Sequence, residues 1–259
     1  MLLRLFLIFL LALSFDLNAS DLAKEKRWAE QVVDAIIDGE VVWLNDGRND
    51  FLGIYTPAEE NKGLAAIVMH GTGVHPDWQQ VVQPLRVGLT EYNWNTLSIQ
   101  MPILANDADH LDYAPLYDEV APRIDAAVQY LKKSGANDIV LIGHSQGSTM
   151  TAYYLSTSQQ DIMGFVAIGM SAFGKDPRMN SIRSLEKINM PILDLYGDED
   201  LESVTASINS RAAAAKKAGN KNFSQIEITG NHFYDGHDDS LVQTVAGWLE
   251  KISKAGSLQ

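Results

Sequence analysis

From Asp21 to Asp38 the apolar residues Leu22, Trp28, Val32, Val33, Ile36 and Ile37 recur at steps of three and four among charges, which predicts an amphipathic helix stopped by Gly39. Two β-rich runs follow, residues 40–44 and 51–56. The segment between them, Asn45-Asp46-Gly47-Arg48-Asn49-Asp50, carries turn chemistry, so the pair reads as an antiparallel hairpin at a sheet edge. The pattern then changes to short, almost wholly apolar runs at residues 64–69, 96–101, 139–142, 165–169, 192–196 and 224–228. Longer amphipathic stretches lie at 78–91, 117–133, 146–157, 203–218 and 240–252. Strands without a polar face, alternating with helices, are the mark of a mostly parallel sheet covered on both faces, an α/β architecture. The insert between Met170 and Pro191 is too short for a large helical lid. No internal repeat, low-complexity tract or long linker interrupts the series, so residues 20–259 are expected to form a single domain.

The N-terminus has another character. Arg4 precedes an apolar run from Leu5 to Leu13, and Asn18-Ala19-Ser20 follows, which reads as a secretory signal peptide over residues 1–19, cleaved after Ala19. An uncleaved anchor is the alternative, although the run falls short of the roughly 20 residues that span a bilayer. The expected location is therefore outside the cytoplasm, periplasmic or secreted, with no stable membrane insertion after cleavage. The absence of cysteine excludes disulfides, thiolate nucleophiles, cysteine-ligated metals and a lipid-modified cysteine at the cleavage site. Removing residues 1–19 deletes Arg4 and Asp16 and leaves the net charge at −13, a balance that repels nucleic acid and anionic lipid.

Chemistry enters at Gly143-His144-Ser145-Gln146-Gly147, a Gly-x-Ser-x-Gly motif with a buried strand directly before it and a helix directly after. A serine on so tight a turn stands clear of the sheet, and its hydroxyl lies near a helix N-terminus, where developing negative charge is favoured. An inert serine capping the helix is the bland alternative.

With this motif in this setting the chain resembles the α/β-hydrolase superfamily, from about Phe51 to Ile252. The resemblance implies a triad in the order serine, acid, histidine, with Ser145 as nucleophile. The strand Pro191 to Tyr196 leads into Gly197-Asp198-Glu199-Asp200, and the Gly-x-x-Asp pattern places the acid on Asp200. Asp198 stays open as the alternative, and Asp194 lies within the strand. The last strand leads into Thr229-Gly230-Asn231-His232-Phe233, similar to the family's histidine loop, which makes His232 the base and His237 the alternative. The cluster His232, Asp235, His237, Asp238 and Asp239 also invites a metal reading, but its intervals do not repeat the usual helical ligand spacing; no metal and no cofactor are expected.

An oxyanion hole needs backbone N–H groups aimed at the oxygen on which charge develops. The resemblance gives one to Gln146 and the other to Thr72 in the loop His70-Gly71-Thr72-Gly73, with Gly73 as second choice; His70 and His144 are expected to be structural. Val74-His75-Pro76-Asp77-Trp78 and Trp94-Asn95-Thr96-Leu97-Ser98 further resemble a group of exported bacterial α/β-hydrolase-like proteins with no assigned substrate, which supports fold and export and supplies no reaction. The expected function is a carboxylesterase-like serine hydrolase acting through an acyl-enzyme on a small ester or an accessible end of a larger molecule. Amidase, peptidase, thioesterase and acyltransferase chemistry would use the same residues. The rival is an exported binding or assembly protein that keeps the fold without catalysis; its mark would be a missing triad member, and none is missing.

Overall fold

Strands that are apolar on both sides must be covered on both sides, and the helices between them do this. The computed structural model describes residues 20–256 apart from 61 and 173, so the leader expected over residues 1–19 lies outside the described residues. The strands are β1 (Glu40–Asn45), β2 (Asp50–Thr56), β3 (Leu64–Met69), β4 (Asn95–Ile99), β5 (Asp138–His144), β6 (Gly164–Ile168), β7 (Ile192–Glu199) and β8 (Phe223–Asn231). They form one sheet in the order β1-β2-β4-β3-β5-β6-β7-β8. β1 and β2 pair antiparallel, β2 lies antiparallel to β4, and every later neighbour is parallel. From β3 the chain runs outward to β4 and then crosses back to β5 on β3's other side. The carboxyl ends of β3 and β5 therefore diverge at a topological switch point, where open α/β sheets bind ligands.

Successive residues of a strand face opposite sides, and the two faces have separate cores. On one side Ile67, Met69, Leu141, Phe165 and Ile192 pack with Val120, Ile124 and Leu131 of α3 (Tyr117–Lys133) and Met150 of α4 (Gln146–Thr157). On the other, Val140, Ile142, Val166, Leu193 and Leu195 pack with Leu85 of α2 (Val82–Gly88) and with Leu241, Val245 and Leu249 of α8 (Asp238–Gly256). A third, small cluster docks Ala29 and Val32 of α1 (Leu22–Ala35) on Leu52 and Ile54 of β2. No helix among the described residues is long and apolar enough to cross a membrane.

The elements depart from the sequence pattern in instructive places. α1 ends at Ala35, before Gly39, because Ile36 turns to an extended conformation. Its buried face is not the apolar one: Lys24 and Glu25 are buried with Ala29 and Val32, whereas Leu22, Val33 and Ile37 are exposed. The Glu25 carboxylate is satisfied by Arg123 at 2.9 Å. The helix expected over 78–91 shrinks to α2 because Val81 holds a φ of 62°, outside the helical region, and the segment after Gly88 tightens to a 3₁₀ turn over Leu89–Tyr92. The stretch 203–218 splits into α6 (Glu202–Thr205) and α7 (Ile208–Lys217) at Ser207, whose hydroxyl donates to Val204 O. Among its described residues, the insert between Met170 and Pro191 carries only a 3₁₀ turn and the short α5 (Ser181–Leu185), in keeping with a sheet edge that has no lid.

Candidate active site

β5 ends at His144, and the chain must reverse into α4 within one residue. Ser145 makes that turn with φ 52° and ψ −121°, a strained conformation, and is held there by its amide donating to Ile168 O at 2.8 Å. Gly147 has to be glycine, since a β-carbon would run into the backbone of Met69 and His70. The result brings the β3–α2 loop over the serine: the β-position of Gly71 is 3.0 Å from Ser145 Cβ.

The carboxyl ends of β7 and β8 bring two more of the expected residues to the same edge. His232 Nε2 lies 2.9 Å from Ser145 Oγ, and His232 Nδ1 lies 2.6 Å from Asp200 Oδ1. With an ionised Asp200, Nδ1 carries the proton it donates, which leaves Nε2 to accept from the serine hydroxyl. Burial pushes the Asp200 carboxyl up, but the hydrogen bond and charge of His232, with the amides of Leu201 and Gly197, outweigh it and hold the group below the usual carboxylate range.

The alternatives lie elsewhere. Asp198 is exposed and accepts from the Gly230 amide at 2.9 Å. Asp194 is fully buried, paired with Arg211 at 2.7 Å and bound by Gln225 at 2.8 Å. The His237 ring lies against Gly230, while Asp235 is bound by Gln80 and Asn231. Among the described residues no His, Asp and Glu side chains group as a metal site.

The loop after β3 is shaped by His70, which is buried. Its Nδ1 donates to Gly71 O at 2.8 Å, and its Nε2 accepts from the Met101 amide at 2.9 Å. Thr72 stands exposed at the tip, while the Gly73 amide is directed to the Tyr113 hydroxyl. Gln146 opens α4, and its side chain donates to Tyr117 Oη at 2.8 Å.

His144, expected to be structural, donates from Nε2 to His232 O at 3.0 Å and packs its ring 4.9 Å from that of His232, fixing the histidine loop. One contributor escaped the sequence reading. Gly169 follows β6 with φ 57°, and its β-position lies 2.8 Å from His232 Cε1, so a side chain there would displace the imidazole. A glycine closing an apolar strand next to β5 was the available signal.

Burial depresses four histidines: His70 to about 3, His144 to about 4, His75 to about 4, and His110 below its ordinary value. Each has a folded pKa below its unfolded value of about 6.5. The unfolded chain therefore binds more protons below pH 6.5, and the stability these groups contribute is complete above that value and lost as pH falls toward their folded values. The expected result is a melting temperature that drops from pH 7 to pH 5 with net proton uptake on unfolding, measured by calorimetry in buffers of different ionisation enthalpy. A His75→Gln variant should take up fewer protons at pH 5; uptake equal to wild type would refute the assignment.

Comparison with known proteins agrees with this architecture. No curated protein matches the chain. Among solved structures it is similar to Est1E from Butyrivibrio proteoclasticus, with a TM-score of 0.65, 17% identity and coverage of 84% of this chain and 100% of that one. It is also similar to the Pyrococcus furiosus esterase Pf2001, with a TM-score of 0.67, 16% identity and coverage of 86% and 93%. XC6422 from Xanthomonas campestris, described as an α/β serine hydrolase without lid, gives a TM-score of 0.64, 14% identity and coverage of 83% and 95%. These likenesses establish a shared α/β-hydrolase fold. A family model described as "Protein of unknown function (DUF3530)" matches residues 20–115 and 113–251, so this α/β-hydrolase-fold chain belongs to the DUF3530 family.

Proposed function

We propose that the protein is a serine hydrolase of the carboxylesterase type. The observation that carries this reading is the continuous hydrogen-bonded chain from Ser145 through His232 to Asp200 at the switch point of the sheet. In the proposed reaction, Ser145 Oγ attacks the ester carbonyl carbon as His232 Nε2 takes the hydroxyl proton. Asp200 keeps the imidazole in the required tautomer and stabilises its charged form. The amides of Thr72 and Gln146 receive the oxyanion. Collapse of the tetrahedral intermediate expels the alcohol, which takes the proton from His232, and leaves an acyl-serine. Water, deprotonated by the same nitrogen, then releases the acid and frees the serine. No cofactor takes part in these steps.

An open carboxyl edge, with only short elements among the described residues between β6 and β7, favours a small ester or an accessible end of a larger molecule. Export through the N-terminal leader, into periplasm or medium, is part of the same proposal. The test is labelling of the purified protein by a neutral fluorophosphonate, with the modified residue located by mass spectrometry. Labelling at Ser145 is expected. A folded protein that resists the probe would leave the binding or assembly role as the better reading.

A further inference from the structure

Lys24 is an anomaly in a chain with 33 acidic and 20 basic residues. It is only 4% exposed, yet among the described residues no carboxylate pairs with its ammonium; its one hydrogen bond is to Leu104 O at 2.9 Å. Asp21 acts on it only at a distance and the Trp28 ring lies 6.0 Å away, so the covered ammonium has no ion-pair partner in contact and is costly unless something supplies one. Its position is informative. Nζ lies 3.7 Å from the β-position of Gly73, and the Tyr113 hydroxyl lies 4.0 Å from the same point. Tyr113 is also buried, at 2% exposure, and its oxygen accepts from Leu104 N at 3.1 Å, so its own proton remains to be donated. With no side chain at 73, both buried groups come within about 4 Å of the one point where such a side chain would begin, on the loop whose Gly71 touches Ser145.

We propose that Lys24 and Tyr113 form a subsite for a carboxylate on the substrate, so that the protein prefers esters carrying a negative charge. An oxygen placed beyond that point, between the two side chains, would take hydrogen bonds from both. Gly71 to Gly73 spans at most about 7 Å, which puts the subsite on the order of 10 Å from the nucleophile. A medium-length acyl chain bridges that distance. The carboxylate would satisfy the free ammonium donors, a charge-assisted contact of the strong kind. Burial meanwhile lowers the pKa of Lys24, with Arg27 adding to the effect and Asp21 opposing it, so an incoming anion would also stabilise the charged form.

This inference rests on the serine-hydrolase reading, and its test separates the two. The kcat/KM of p-nitrophenyl half-esters of adipate and suberate, too long to cleave themselves through a small cyclic anhydride, is compared with that of the same chains capped as methyl esters. Labelling by a neutral fluorophosphonate is followed in parallel. Wild type is expected to favour the anionic ester by about tenfold or more. Lys24→Met should bring that ratio close to one, Tyr113→Phe should lower it in part, and Lys24→Arg should retain much of it. A wild-type ratio of one or below, with Ser145 labelled, would overturn the subsite alone. A ratio unchanged in Lys24→Met, because both esters suffer equally, would show that Lys24 only ties α1 to Leu104. Absence of both labelling and turnover would remove the hydrolase reading and the subsite with it.

Discussion

Replacing Ser145 by alanine is expected to abolish fluorophosphonate labelling and to lower ester turnover by about a thousandfold or more, with a melting temperature close to that of wild type. The loss in rate follows because the hydroxyl is the only atom exchanged for hydrogen, and it is the atom 2.9 Å from His232 Nε2. The small stability change follows from what is kept. The Ser145 amide still donates to Ile168 O, the backbone strain at φ 52° is the same for alanine as for serine, and the deleted oxygen lies at the edge of the core. A change within about 0.5 kcal/mol is therefore expected. Measuring activity and thermal unfolding on the same preparation separates a lost nucleophile from a lost fold. A variant that keeps more than a tenth of wild-type turnover would require another nucleophile, and Ser148, whose hydroxyl donates to Ser145 O, would be the nearest hydroxyl to examine.

The sequence was most legible where local chemistry and global fold impose the same demand. The run Asp138 to Ile142 has to be buried on both faces, and the residues after it have to turn sharply, so strand, turn and helix were readable together. Legibility failed where a tertiary partner decides. Nothing local announces that Lys24 and Glu25 of α1 turn inward while Leu22 and Ile37 face solvent. The cause is Arg123, ninety-eight positions beyond Glu25, together with the Leu104 carbonyl. Val81 is a second case: a β-branched residue gives no hint of a positive φ, so the start of α2 was misplaced. At the site, the separation of Asp200 from Asp198 rested on family resemblance, because a stretch of four residues with three carboxylates carries no internal signal of which one meets a histidine. The bulge in the β7–β8 pairing between Gly197 and Glu199 re-aims the strand end, which turns Asp198 out and Asp200 in.

That geometry makes the two aspartates separable by experiment, and the contrast between their asparagine variants should be large. In Asp200→Asn the side chain keeps its shape but loses the charge that favours the His232 imidazolium. Its amide nitrogen also competes to face Nδ1, which would put the ring proton on Nε2, against the serine. In a serine protease the analogous change lowers turnover by about ten-thousandfold, and a loss of about a thousandfold or more is expected here. Asp198→Asn keeps an oxygen to accept from the Gly230 amide and removes one exposed, solvent-screened charge, so turnover should stay within about twofold. Stability gives a second readout with a defined sign. The folded pKa of Asp200 is held below its unfolded value, so it contributes stability that is present above the unfolded value and lost as pH falls through the folded one. Asp200→Asn should therefore weaken the decline in melting temperature on acidification below about pH 4, with its largest cost relative to wild type at neutral pH. If Asp198→Asn is the variant that loses activity, or if both variants turn over like wild type, the hydrogen bond of 2.6 Å between Asp200 and His232 is not the one that orients the base.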